Sequence, residues 1–254
     1  MGTTRAAVLI LVAACASGGR DVTIDAADPT DGPTQRDAKR VDAPPGAQTK
    51  ELVQTSSQAI EAGTSIACAN NPPGTNANNY YRVFDLAAAG ITSDFLVSKV
   101  TFKVEDSHRV GTNVPGGSSV AVRVGTYSGT PGDQLDNSMM TILASNPTVN
   151  VPEVREVIGP PPSTPGATVD APITATIPAG SKLLVEIDSP DGHNVYYLYL
   201  GANTAAETAP AYVLAPTCKD STQAYITKPT NISTLSTSFP NVHLLISVTG
   251  QYQP

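Results

Sequence analysis

The three histidines are the first residues to test for chemistry, because imidazole both binds metals and transfers protons near neutral pH. His108, His193 and His243 show no HxH, HExxH or comparable spacing with a carboxylate. His243 lies in an apolar strand pattern typical of a satisfied buried or edge histidine, and the other two lie in predicted loops. GGSS at 116–119 and YSGTPG at 127–132 are turn sequences rather than nucleophile elbows. We therefore predict no catalytic residue, no metal ligand and no cofactor.

A pair of carboxylates is the remaining route to catalysis, as in glycoside hydrolases. Six acidic residues in or beside predicted strands are candidates for such a pair: Glu105, Asp106, Glu153, Glu156, Glu186 and Asp188. Acidic residues of this kind more commonly decorate a solvated face. A non-enzyme is therefore favoured, and a polysaccharide hydrolase that uses a carboxylate pair on the sandwich is the alternative.

The segment DSPDGHN at 188–194 carries oxygen ligands of the kind that calcium prefers, on Asp188, Asp191 and Asn194. It lacks the glutamate and the twelve-residue span of an EF-hand, and PDG makes a good turn by itself. We expect a plain hairpin here, with calcium binding as the alternative.

Two tyrosines of the run VYYLYLG at 195–201 are the candidate ligand-binding residues. In a strand, Tyr197 and Tyr199 share one face, and Tyr196 lies on the other. Tyrosines placed in this way can hold a sugar ring, although the chain has no tryptophan. Packing of the pair across the sheet is the alternative.

The chain has three cysteines. Cys68 and Cys218 each follow an apolar stretch and precede a turn-like segment, which favours a disulfide between them in an exported protein. The bond would close a loop of about 150 residues and contribute roughly 4–5 kcal/mol by loop entropy. Two separate buried thiols are the alternative.

The third cysteine, Cys15, ends an apolar run. Residues 6–14 read AAVLILVAA and follow Arg5. A membrane span needs about 20 residues, so this run is too short and is typical of a secretory signal peptide. The four residues VAAC at 12–15 resemble a bacterial lipobox. The resemblance implies that residues 1–14 are removed and that Cys15 is lipidated with diacylglycerol and a further acyl chain such as palmitate. An ordinary signal peptide with an incidental cysteine, or a buried apolar strand, is the alternative.

The lipobox resemblance also implies a location. Several acyl chains hold a protein on a membrane almost permanently, at about 0.8 kcal/mol per buried CH₂. Residue 16 is Ala, whereas an Asp there tends to retain lipoproteins of Gram-negative bacteria at the inner membrane. The bacterial cell envelope is therefore expected, with the outer membrane favoured. The net charge of −7 and the absence of a basic patch argue against a nucleic-acid partner.

Residues 16 to about 52 are rich in Asp, Pro, Gly and Thr and show no apolar periodicity. Such a stretch cannot bury enough apolar surface to offset its ordering entropy. We therefore predict that 15–52 is the lipidated cysteine with a disordered linker of roughly 30–35 Å reach. Packing of the linker as a strand on the domain is the alternative.

From residue 53 onward, strand patterns alternate with Gly- and Pro-rich turns. The candidate strands are 79–86, 95–106, 118–127, 139–145, 148–158, 169–178, 182–188, 194–202 and 242–250. About nine or more strands of this kind predict an all-β fold, a single jelly-roll-like β-sandwich over 53–254. A division into two domains at GPPPSTPG, 159–166, is the alternative.

Four stretches, at 78–106, 120–132, 201–218 and 243–250, resemble the non-catalytic β-sandwich modules appended to secreted and surface proteins of bacteria. The resemblance covers most of residues 57–250 and implies a binding or structural role. The expected protein is a lipid-anchored envelope protein whose sandwich binds a glycan or another envelope protein.

Overall fold

The computed structural model describes residues 46–69, 73–111, 114–155, 166–216, 231–234 and 239–254. Regular structure in these residues consists of fourteen strands and one 3-10 helix, Asn137–Met139. The all-β prediction is therefore confirmed. Within the described ranges, no helix has the length and apolar character needed to cross a bilayer.

The strands, in chain order, are β1 (Gln48–Leu52), β2 (Asn78–Asp85), β3 (Phe95–Arg109), β4 (Ser119–Tyr127), β5 (Gln134–Asp136), β6 (Met140–Asn150), β7 (Ala167–Ile177), β8 (Lys182–Ser189), β9 (Tyr196–Leu200), β10 (Ala202–Asn203), β11 (Ala211–Leu214), β12 (Asn231–Thr234), β13 (His243–Leu244) and β14 (Ile246–Tyr252). Seven form one antiparallel sheet in the order β5-β12-β11-β2-β8-β4-β6. Five form a second antiparallel sheet in the order β1-β14-β3-β7, with β9 also paired to β3. Many neighbours in the sheets are far apart in the chain, as in a jelly roll.

The main core lies between the two sheets. Strand β7 buries every second residue from Val169 to Ile177, and β3 buries Val100 and Phe102 against the opposite sheet. The seven-stranded sheet contributes apolar residues such as Val122 of β4 and Val185 of β8. Because side chains alternate between the faces of a strand, this pattern places one face of each sheet in a shared core. The core joins residues on both sides of 159–166, so the prediction of a single sandwich is confirmed.

The structure corrects the predicted boundary between the linker and the domain. Strand β1, Gln48–Leu52, lies within the segment expected to be disordered, yet all five of its residues pair with β14. Only Leu52 of this strand is buried. An edge strand of this kind is held by backbone hydrogen bonds rather than by an apolar pattern, which is why composition did not reveal it.

A second correction concerns the predicted strands 139–145 and 148–158. Residues 140–150 form the single strand β6, which runs through Pro147. Since β6 is the edge of its sheet, the missing N–H of proline costs no ladder bond there. Val154 makes only an isolated bridge with Ser107, and residues 156–165 lie outside the described ranges.

Candidate ligand-binding cleft

A β-bulge in β3 builds the candidate site. From Val100 to Val104 the strand alternates between core and surface, but its register with β9 shifts between Val104 and Asp106. The extra residue, Glu105, breaks the alternation, so that Glu105 and Asp106 line one cleft although they are neighbours in sequence. For Glu105, as for the other acidic candidates, the sequence favours a position on a solvated face. That prediction is wrong, since Glu105 is only 3% exposed.

Strand β9 supplies the other wall of the cleft. In the register of the two strands, Asp106 lies opposite Tyr199 and His108 lies opposite Tyr197. Both tyrosines are half-buried and alternate with buried neighbours such as Tyr196. Their shared face is the one that the spacing predicted, and their role in ligand binding stays a prediction.

The resulting cleft has a volume of about 340 Å³. Its lining comes from β3, β9 and the segment before β2, and consists of Gly63, Ser65, Glu105, Asp106, His108, Tyr197 and Tyr199. Small-molecule sites in proteins span roughly 300–1,000 Å³ and combine aromatic walls with a few oriented polar groups. The cleft has both features at the lower end of that size range.

His108 connects the acidic and aromatic parts of the cleft. Its Nδ1 lies 2.5 Å from Oδ1 of Asp106, and its ring stacks on Tyr197 with centroids 4.8 Å apart and planes at 29°. The prediction that His108 lies in a loop is wrong, because it belongs to β3. The Asp-x-His spacing was a usable signal that the sequence analysis missed, since residues i and i+2 of a strand share a face.

Glu105 is held by the segment that crosses the cleft. Its Oε1 accepts a 2.5 Å hydrogen bond from the amide of Gly63, and its Oε2 accepts bonds from the amide of Ser65, at 3.2 Å, and from the Ser65 hydroxyl. The Ser65 hydroxyl therefore directs its hydrogen toward Glu105. A serine nucleophile activated by histidine needs that proton to face the imidazole, so Ser65 and His108 do not form such a pair here.

The surroundings of Asp106 shift the pKa of its carboxyl group. Burial raises the pKa of Asp106, and the hydrogen bond with His108 opposes this effect only in part. Its side chain is 14% exposed. A carboxyl that is partly desolvated interacts more strongly with a polar or charged partner than one in water.

The remaining histidines lie elsewhere. His193 is exposed in the turn before β9. His243 is buried, and its Nδ1 is hydrogen-bonded to the carbonyl of Ala205, with Nε2 3.7 Å from Glu207. The expectation of a satisfied buried or edge histidine is confirmed for His243.

The two carboxylates of the candidate calcium segment already bind other protein groups. The carboxylate of Asp188 pairs with Arg123 at 2.7 Å, and Asp191 accepts a 3.0 Å bond from the amide of His193 in its own turn. Among the residues that the structure describes, no group of three or more His, Cys, Asp or Glu side chains is placed to hold a metal ion.

Two further acidic candidates meet on the outer face of the seven-stranded sheet. Glu186 accepts hydrogen bonds from Arg123 at 2.8 Å, Asn79 at 2.8 Å and Tyr81 at 3.1 Å. Burial opposes the charge on Arg123, but Glu186 and Asp188 outweigh it and raise the pKa of the guanidinium. One cation therefore joins both carboxylates in an ion-pair network.

Of the last two acidic candidates, the described one, Glu153, does not line the cleft. Glu153 pairs with Arg155 at 2.8 Å on the surface, and Glu156 lies outside the described residues.

The turn at 188–194 is fixed against the segment before β2. Gly192 donates to the carbonyl of Thr75 and Asn194 donates to that of Pro73, both at 2.8 Å. Gly74 lies between these acceptors with a φ of 102°, and a Cβ there would lie 2.5 Å from the Gly192 oxygen. Only glycine suits this close approach.

Of the three cysteines, the structure describes Cys68, which is 5% exposed. Cys15 and Cys218 lie outside the described residues, as do residues 1–45 as a whole. The lipidation of Cys15 and the pairing of Cys68 with Cys218 stay predictions.

The fold and the cleft together define the class of protein, a β-sandwich with an aromatic and acidic cleft beside one sheet. No protein-family model and no curated protein matches the chain. Among solved structures, the chain is similar to the cysteine protease and lectin-like domains of Cwp84, a surface-layer-associated protein of Clostridium difficile, with 16% identity and a TM-score of 0.40. The match covers 70% of this chain and 33% of that one, so the chain spans about a third of its neighbour's length.

Proposed function

We propose that this protein is a lipid-anchored protein of the bacterial cell envelope, and that its sandwich binds a glycan in the cleft between β3 and β9. The observation that carries the proposal is the convergence of Tyr197, Tyr199, Asp106 and His108 around one open cavity. Half-buried tyrosines offer an apolar ring face to a sugar, and a carboxylate accepts hydrogen bonds from its hydroxyls. The two tyrosines were expected from their spacing to bind a glycan. The fold places polar groups beside them, which their spacing alone did not predict.

The test is binding of glycans to the full chain, purified in a detergent without a sugar headgroup so that the detergent does not compete. A glycan array identifies ligands, and calorimetry compares the wild type with Tyr197→Ala and Tyr199→Ala. We expect each variant to weaken binding about tenfold or more, which corresponds to about 1.4 kcal/mol. Tyr252→Ala is the matched control, because Tyr252 is a half-buried tyrosine at the end of β14, away from the cleft lining. Equal effects of all three substitutions would contradict the proposal.

The hydrolase alternative has one observation in its favour. Glu105 and Asp106 line the same cleft, and burial raises the pKa of Asp106, as expected for a general acid. Against it, both oxygens of Glu105 already accept hydrogen bonds from Gly63 and Ser65. The hydrolase would be established if the protein released reducing ends from a polysaccharide and Asp106→Asn abolished that release. We expect no release of reducing ends from the wild type.

The anchor is proposed from the sequence of residues 6–15, where an apolar run ends in VAAC. Lipidated Cys15 would place the sandwich at the membrane surface, with the outer membrane favoured by Ala16. Residues 16–47 precede β1 and would connect the lipid to the sandwich.

We further propose that Cys218 is the disulfide partner of Cys68. The support is that both cysteines follow strand-like stretches, and that Cys15 is assigned to the lipid. A peptide map under non-reducing conditions should yield one cross-linked fragment containing both residues. Recovery of Cys218 as a free thiol would exclude the pairing.

A further inference from the structure

The cleft between β3 and β9 has an uneven charge. It contains the carboxylates of Glu105 and Asp106, and the one basic side chain in its described lining is His108, whose Nδ1 is hydrogen-bonded to Oδ1 of Asp106. The donors to Glu105 are two amides and a hydroxyl, which are neutral groups. Arg155 acts on Asp106 from a distance, but its guanidinium is already paired with Glu153 at 2.8 Å.

A cationic ligand would complement this arrangement on two sides. Buried carboxylates are costly unless positive partners compensate them. Two carboxylates share the single imidazole of His108, and a ligand ammonium would add a second positive partner beside Asp106. The tyrosines add to the same preference, because the negative face of an aromatic ring attracts a cation. One face of Tyr197 is occupied by the His108 ring, and both Tyr197 and Tyr199 line the cleft.

We propose that the cleft recognises a protonated primary amine carried by a sugar ring, that is, an amino sugar whose nitrogen is not acetylated. This inference rests on the proposed glycan-binding function and deepens it. The ammonium group lies beside Asp106, and the sugar ring lies against Tyr199. An anionic sugar is rejected, because its carboxylate or sulfate would face two carboxylates, Glu105 and Asp106, against the single imidazole of His108. A neutral sugar binds more weakly, because it adds no positive charge beside the two carboxylates.

The test compares three linear hexasaccharides that differ mainly at one position of the sugar, namely glucosamine, N-acetylglucosamine and glucose oligomers. Calorimetry is done on the full chain in a detergent without a sugar headgroup, at a pH where the amine is protonated. We expect the glucosamine oligomer to bind about tenfold or more tightly than the other two, and Asp106→Asn to reduce its affinity to theirs. Asp170→Asn is the matched control, because Asp170 is an exposed carboxylate of the same sheet that bonds Thr101 and Lys99. It should leave the affinity unchanged.

The outcomes separate the two proposals. Equal binding of the three hexasaccharides would overturn the amine preference while leaving the glycan-binding function in place. Binding of none of them, on the array or by calorimetry, would overturn both. Equal losses in Asp106→Asn and Asp170→Asn would overturn the assignment to this cleft, since they would indicate general attraction to an acidic protein. Binding of Nα-acetyl-lysine amide as tightly as the glucosamine oligomer would overturn the sugar as the carrier of the amine. A thermal melt of Asp106→Asn checks that the variant is folded.

Discussion

Arg82 carries the prediction that most directly tests the packing of the sandwich. Its side chain is fully buried at the centre of β2, and its guanidinium donates to Glu207 at 3.0 Å, to the carbonyl of Ala209 at 2.5 Å and to the carbonyl of Leu244 at 2.7 Å. Burial lowers the pKa of Arg82, and the charge of Glu207 opposes that effect. The arginine thus joins β2 to two segments that come more than a hundred residues later in the chain.

The substitution Arg82→Met removes the charge and keeps the apolar stem. Breaking a buried ion pair from one side costs about 3–5 kcal/mol, because the other charge remains in the interior. The side chain of Glu207 is 13% exposed, so water recovers part of its solvation. We therefore expect a loss near the lower end, about 3 kcal/mol, which lowers the melting temperature of a domain of this size by about 6–12 °C.

Urea unfolding at neutral pH, followed by circular dichroism, measures this loss. The double variant Arg82→Met/Glu207→Gln should recover part of it, because the uncompensated carboxylate is gone. Lys99→Met is the matched control. It breaks a 3.1 Å pair with Asp170 whose side chains are 37% and 54% exposed, and such pairs contribute about 0–1 kcal/mol. A loss below about 1 kcal/mol in Arg82→Met would refute the argument that the buried pair holds the strands together.

Three further outcomes are expected. Gly74→Ala should destabilise the fold by more than Gly63→Ala, as measured by urea unfolding. Both residues have positive φ, which costs alanine about 1–2 kcal/mol, but only at Gly74 would the methyl group meet a backbone oxygen. Cys15→Ala should abolish metabolic labelling with a tagged fatty acid, and equal labelling of both proteins would remove the anchor proposal. The hydrogen bond from Thr101, with Lys99 adding to it, lowers the pKa of Asp170, so its stabilising effect is present at neutral pH and is lost as the pH falls through the folded-state pKa. The stability difference between wild type and Asp170→Asn should therefore shrink on acidification, and a difference independent of pH would contradict this.

The strands of the core were predictable because each has a buried face. Alternation in β7 and the valines of β4 state directly which side chains point inward. The strands that were missed are short or lie at an edge, such as β1 and β5. Their positions depend on hydrogen bonds to partners distant in the chain, and the amino-acid pattern within the strand does not encode those partners.

The sequence contains two separate patterns that contribute to the cleft, one on β3 and one on β9. Neither pattern by itself is specific enough to predict a binding site. Asp106-Ser-His108 on β3 and Tyr197-Leu-Tyr199 on β9 each place two side chains on one face of a strand, and each also fits ordinary surface decoration. They form a site because β3 and β9 pair with Asp106 opposite Tyr199 and His108 opposite Tyr197. A shift of that register by one residue would turn one pair toward the core. The bulge at Glu105 adds the second carboxylate, and a bulge is a property of the pairing between two strands. The function proposed for this protein therefore depends on a register between residues about ninety positions apart, which local sequence patterns cannot specify.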